Sequence, residues 1–195
     1  MIEIVDRLTE DQRPQAGKIY YEAFRRKLQP LVGKPQATLM VLTAGLNLDL
    51  AMGALVDGKL LGLAGLHNQA GIFSRVTWRS SIQHMGLLRG AYAWAVLNLF
   101  GAGANCPPGH LRIAALAVDA SARGQGLGSL LLDAIFARAR SEGCTAVRLE
   151  VVDTNTAARR LYERLGFVAV ETHTYLIPRS WLDFSADTVM VKALG

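Results

Sequence analysis

The sequence predicts a single α/β domain, a mixed sheet flanked by helices, and three observations carry that reading. A near-continuous apolar run, Leu111–Val118, leads through a glycine-rich loop into an amphipathic helix and then into a second buried-type run, Ala146–Val152. Strand, helix and strand in that order imply a right-handed crossover and a parallel strand pair. Asp57-Gly58 separates two strand-like runs, Leu48–Val56 and Leu60–His67, and this dipeptide favours the two-residue hairpin turn because both central positions need positive φ. With 195 residues, 51% hydrophobic and 19% charged, the chain can bury one core without disulfides or metals, and it is too apolar for disorder.

The elements follow in order. Ile2–Leu8 alternates apolar and polar residues as an opening strand. Asp11–Leu28 reads as a helix, with Pro14 tolerated in the first turn and Ile19, Ala23 and Phe24 sharing a side. A second helix is expected from Pro35 to about Leu46, followed by the hairpin. From Gly71 to Gly109 the pattern loosens into an insertion-like segment, in which Leu87–Phe100 is helix-compatible and Asn105-Cys106-Pro107-Pro108-Gly109 breaks the chain. Its length, with Arg89 inside and Asn98 near the end, makes Leu87–Phe100 a poor membrane span. In the helix after the glycine loop, Leu127, Leu130, Leu131, Ala134 and Ile135 lie on one face, and Gly143 stops it. Asn155 or Thr156 can cap the next helix, whose Ala158, Leu161, Tyr162 and Leu165 share a face before Gly166 ends it. Phe167–His173 and Thr188–Lys192 read as closing strands with an irregular loop between them.

Charge and cysteines narrow the function classes. A net charge of +5 suits an anionic ligand, but no Lys/Arg run is interleaved with aromatics, so nucleic acid is not expected as a partner. Nor is a membrane. Cys106 and Cys144 have no metal-type spacing and no CxxC, so they read as ordinary thiols in a reducing cytoplasm, with no metal expected. Met1–Asp6 is acidic and lacks a signal-peptide pattern.

The sharpest local feature is Arg123-Gly124-Gln125-Gly126-Leu127-Gly128 between a buried strand and an amphipathic helix. Three glycines allow a tight turn and close backbone approach, while the helix start offers unpaired amides and partial positive charge. Such a loop can hold a pyrophosphate, with Arg123 as a nearby cation; it can also be a connection that binds nothing. A dinucleotide fingerprint is disfavoured, because Ser129 stands where a third glycine or alanine is required and no Walker lysine follows.

Leu116-Ala117-Val118-Asp119, the Arg123–Gly128 loop, Leu149-Glu150-Val151, Asn155 and Leu161-Tyr162-Glu163-Arg164-Leu165-Gly166-Phe167 together resemble, in order and spacing, the signature of the GNAT N-acetyltransferase superfamily. The likeness is close over about Leu111–Thr172 and elsewhere extends only to element order. It implies a mostly antiparallel sheet whose central parallel pair splays apart, with acetyl-CoA as co-substrate in the gap. Main-chain groups of Leu116, Ala117 and Val118 would pair with the pantetheine arm. The amides from Gly124 to Ser129, including those of Gln125, Gly126, Leu127 and Gly128, would hold the pyrophosphate. Asn155 matches a position that contacts the cofactor, and is equally suited to capping a helix. Tyr162 matches the tyrosine that protonates the departing thiolate, a role suited to a phenol that stays protonated at neutral pH; it is also placed for the core.

The base is open at this stage. Glu150 stands in a context similar to that of ribosomal-protein alanine N-acetyltransferases, where the corresponding glutamate is a candidate base; a salt-bridged strand residue is the plain alternative. Ile113, Ala114 and Ala115 offer no carboxylate on the preceding strand, and His110 could act through water. His67, His84 and His173 are weaker candidates. The resemblance implies acetyl transfer to a primary amine of a small molecule or protein, with a non-catalytic acyl-CoA-binding module as the alternative. Asp11–Leu46, Gly71–Gly109 and the loop after Thr174 are expected to select the acceptor. The apolar surplus of Leu87–Phe100, preceded by Trp78 and Arg79, suggests an acceptor or homodimer contact.

Overall fold

The computed structural model describes residues 1–101, 106–175 and 184–195, with side chains at all of these except 26–31 and 99–101. Seven strands form one sheet: β1 (Ile2–Val5), β2 (Ala51–Val56), β3 (Lys59–His67), β4 (His110–Val118), β5 (Ala146–Val152), β6 (Val168–Thr174) and β7 (Ala186–Ala193). Their spatial order is β1-β2-β3-β4-β5-β7-β6. Every neighbouring pair is antiparallel except β4–β5, which is parallel. The helices are α1 (Arg13–Val32), α2 (Pro35–Ala44), α3 (Trp78–Met85), α4 (Leu87–Gly101), α5 (Leu127–Ser141) and α6 (Thr156–Arg164).

The fold class is as the sequence predicts, and the second half matches it nearly residue for residue. Asp57 and Gly58 have φ of 50° and 77° at the β2–β3 turn, and Gly143 and Gly166 take positive φ just beyond α5 and α6. Several boundaries shift, α1 for one running from Arg13 to Val32 rather than from Asp11 to Leu28, and other details differ as follows. Leu48–Leu50 is a single 3-10 turn, because the Asn47 side chain accepts from the Asp49 amide and pulls the backbone out of the strand. Helix α3, capped by the Thr77 side chain on Ser80 N, is eight residues long and too short for its periodicity to stand out. The opening strand stops at Val5 rather than Leu8. The loop expected between the closing strands falls largely at 176–183, outside the described residues, as does Asn105.

One irregularity shapes everything that follows. Along the β3–β4 ladder Gly65 pairs with Ala115 and Leu66 with Ile113, so Ala114 has no opposite number and forms a bulge. Side chains alternate across a strand, and one extra residue reverses the alternation. Leu111 and Ile113 therefore pack beside Leu131 and Ile135 of α5, whereas Ala115 and Ala117 face the opposite layer with Ala16 and Ile19 of α1. That layer holds α1 and α2, and α3 and α4 pack outside them. A Cβ on Gly17 of α1 would sit 2.0 Å from Thr43 Oγ1 of α2, and one on Gly90 of α4 would sit 2.7 Å from Ile82 Cα of α3. Glycine at these two places lets each helix pair close.

Candidate active site

The bulge opens the sheet. β4 and β5 are paired only from His110↔Ala146 to Ile113↔Leu149, although both strands run on, to Val118 and Val152. Past that point β4 keeps β3 on its outer edge, Leu116 to Val118 lying opposite Ala64 to Gly62. β5 keeps β7 on its own outer edge, Glu150 to Val152 lying opposite Val189 to Asp187. Among the described residues the two inner edges thus present strand backbone without a strand partner. Backbone groups in a sheet interior require a hydrogen-bonding partner, and an extended, amide-bearing ligand supplies one as an added strand does.

At the C-terminal mouth of this gap lies the glycine loop. Gly124 and Gly126 have φ of 78° and 79°, and Gly126 is the N-cap of α5. Among the described residues the amides of Gly124, Gln125, Gly126, Leu127 and Gly128 donate to no backbone carbonyl outside α5, while Ser129 N is already committed to Gly126 O at 3.0 Å. Ser129, expected with the loop amides from the resemblance, thus has its amide in a turn bond at the start of α5. Gly128 is the informative member. Its φ is not positive, and a Cβ there would meet nothing within 4 Å. Glycine costs a helix about 1 kcal/mol relative to alanine, so nothing among the described residues requires it; without a Cβ the helix start is left open to a close anion. Arg123, exposed, turns back to Val118 O at 3.4 Å and leaves a cation at the rim.

The residues read as chemical flank the gap from opposite faces. Leu149 and Val151 of β5 point into the core cluster that includes Tyr162 of α6, so Glu150 between them faces the α1 layer. The Tyr162 ring is 8% exposed and meets Phe167 edge-on at 5.7 Å. Its hydroxyl has no hydrogen-bond partner among the described residues yet is not sealed from solvent, and burial pushes its pKa up to about 12. Glu150 Oε2 accepts from Arg112 Nη2 at 2.7 Å, the arginine being buried and the glutamate open to solvent. Asn155 caps α6, its Oδ1 accepting from Ala158 N at 3.2 Å; this is the capping role foreseen for it, and it leaves the side-chain amide nitrogen for a ligand.

Three histidines settle into distinct places. His110 pairs with Ala146 at the closed end of the parallel ladder, roughly 13 Å along β4 from where the gap begins, too far to act on a ligand there. His173 Nδ1 meets Asp187 Oδ1 at 3.1 Å and its Nε2 meets Glu171 Oε1 at 3.0 Å; these two acids hold its pKa above the usual value. Tyr175 donates to the other Asp187 oxygen at 2.5 Å. Since Asp187 lies opposite Val152, this Tyr175–Asp187–His173 cluster stands beside the mouth of the gap. His173 is among the weaker base candidates, but its partners Asp187 and Tyr175, like Arg112 beside Glu150, are not readable from sequence, because cross-strand register decides them.

His67, opposite Arg112 on β3, is 8% exposed. Burial first, and the Arg112 charge second, hold its pKa down to about 4, below the ordinary value of about 6.5. Neutral His67 thus contributes stability that is fully present above the unfolded value and lost as the pH falls through the folded one, about 2–3 kcal/mol in all. The melting temperature is expected to fall across that window, and less steeply in His67→Gln. Equal slopes in melting curves of the two proteins would remove His67 from the account.

Comparison with known proteins agrees with this architecture. A sequence model described as the acetyltransferase (GNAT) family matches residues 6–167. A mycothiol acetyltransferase of Thermobispora bispora is 42% identical over 76 residues, covering 39% of this chain and 25% of that protein. A ribosomal protein bS18-alanine N-acetyltransferase of Haemophilus ducreyi is 32% identical over 81 residues, 40% of this chain and 53% of that one. The aligned stretch thus spans between a quarter and about half of these relatives. In three dimensions the ribosomal-protein-S18-alanine N-acetyltransferase of Escherichia coli superposes with a TM-score of 0.58 at 17% identity, covering 100% of this chain and 95% of that one, a likeness of fold. With the family match extending over most of its length, the chain belongs to the GNAT acetyltransferase family.

Proposed function

We propose that the protein transfers an acetyl group from acetyl-CoA to a primary amine by direct attack on the thioester. The observation that carries this reading is the gap between β4 and β5, with a glycine cradle at its mouth and Tyr162 and Glu150 on opposite faces. Acetyl-CoA, when bound, supplies a thioester carbon to which the amine nitrogen bonds as the C–S bond breaks. The Gly124–Gly128 amides and Arg123 hold the pyrophosphate. The inner edge of Leu116–Val118 aligns the pantetheine arm and polarises the carbonyl, a contribution of about 3 kcal/mol per well-aimed donor. Glu150, kept in place by Arg112, takes the proton that an ammonium must shed before it attacks. Tyr162 gives its phenolic proton to the departing thiolate sulfur.

An amine panel with acetyl-CoA, read as free thiol, tests this proposal. The panel contains an alanine-first peptide, a polyamine, an amino acid and an aminoglycoside. At least one amine is expected to release thiol well above the water background, and Glu150→Gln to lower that rate about 10²-fold or more, most strongly at acidic pH. Thiol release that no amine accelerates, together with tight acetyl-CoA binding, would leave a binding module rather than an enzyme.

A further inference from the structure

Helix α4 is apolar on all sides, yet only one side is covered. Gly90, Ala93 and Leu97 are buried against α1 and α3, whereas Leu87 and Trp94, and beside them Leu88 and Tyr92, form two adjoining stripes 38–87% exposed. Trp78, at the start of α3, is 48% exposed and stands edge-on to Trp94 at 5.6 Å. Isolated exposed apolar residues are common, but a contiguous set of two tryptophans, a tyrosine and two leucines marks a contact surface.

The charges around it are of one sign. The sequence has no Asp or Glu between Asp57 and Asp119, and Glu22, paired with Arg25 at 3.5 Å, is the one acid in α1 to α4. Exposed Arg79 follows Trp78, and exposed Arg89 stands in the first turn of α4, its guanidinium donating to Val32 O at 3.3 Å. Half-buried His84 lies between them, and Arg75 enters α3. We propose that this face of the α3–α4 hairpin seats on an anionic lipid bilayer, tryptophan, tyrosine and leucine entering the interface while arginines meet the head groups.

Tryptophan and tyrosine favour the boundary between head groups and acyl chains, and arginine beside an apolar face adds attraction to anionic lipid. A second copy fits the face poorly. A two-fold contact would set Arg79 and Arg89 against themselves with no acid to separate them. The sequence expectation of no membrane partner rested on the lack of a spanning segment, and no described helix is long and apolar enough to cross a bilayer. A hairpin lying in the interface needs no span.

Co-sedimentation of the full chain with phosphatidylcholine vesicles, with and without phosphatidylglycerol, tests the proposal. The protein is expected to pellet with the anionic vesicles, less so as salt rises, with a blue shift of tryptophan fluorescence. Leu88→Glu and Arg79→Glu are each expected to weaken pelleting about ten-fold or more, while the acetyl-CoA-induced rise in melting temperature persists and shows that both variants are folded. Absence from the anionic pellet overturns the proposal, as does equal pelleting with uncharged vesicles or unchanged pelleting of Leu88→Glu. Light scattering that shows a dimer dissociated by Leu88→Glu overturns it too, and assigns the face to a second copy.

Discussion

Tyr162→Phe is expected to lower kcat by about 10²–10⁴-fold and leave acetyl-CoA affinity close to that of the wild type. The phenylalanine ring keeps the contact with Phe167 and the same burial, and the lost hydroxyl has no protein partner to orphan among the described residues. Stability therefore changes little, and the loss falls on the step that needs a proton at sulfur. The pKa of about 12 adds a pH signature. The phenol stays protonated past the ordinary tyrosine value of about 10, so wild-type kcat should show no tyrosine-linked decline as the pH approaches 10. Steady-state kinetics and acetyl-CoA-dependent melting, measured side by side, check both points. Near-normal turnover in the variant would return Tyr162 to the core as a packing residue.

Gly126→Val is expected to abolish the thermal shift given by acetyl-CoA. In the wild type, ligand at about 100-fold its Kd stabilises the fold by about 2.7 kcal/mol. Gly126 has φ of 79° and ψ of 0° at the N-cap of α5, a conformation that opposes a β-branched residue strongly. A Cβ there meets no protein atom within 4 Å, so the strain is relieved by rotating the backbone, which turns the Gly126 and Leu127 amides away from the ligand. Gly128→Ala separates this account from simple loop damage. Alanine fits the helix without contact and should raise the melting temperature of the free protein while weakening the ligand-induced shift. An undiminished shift in Gly128→Ala would mean that no phosphate approaches that helix start.

The contrast between the two halves of the chain shows what a sequence makes legible. Ala146–Val152 and Leu127–Ser141 are readable because their signals are local: a largely apolar run in the strand, and a 3.6-residue stripe with Gly143 just beyond it in the helix. The glycine loop before α5 is readable because its glycines alternate within one short stretch, Gly124 to Gly128. Arg112 and Glu150 are 38 residues apart and meet only because parallel strands bring them together. Asp187 reaches His173 and Tyr175 through an antiparallel register that no composition encodes. The Ala114 bulge lies inside Ile113-Ala114-Ala115, a stretch that reads as smooth strand, and only the pairing with Gly65 and Leu66 reveals the extra residue. Leu87–Phe100 is legible as an apolar helix with a surplus, but its seat on α1 and α3, outside the sheet, depends on tertiary contacts, with Gly90 of α4 allowing the close approach to α3.

The four residue pairs that join β4 to β5 also have a mechanical meaning. β1 to β4 form one plate and β5 to β7 another, and the parallel ladder is a short hinge between them at one end of their common edge. A ligand lying along the open part of that edge would bridge the plates much as a missing strand does, and its occupancy is then expected to set how stiffly they move together. Part of the binding free energy is then taken up in ordering the plates. The strands beside the hinge should be the most rigid in the ligand-free molecule, and the two lips of the cleft the parts that gain most in order when the co-substrate arrives.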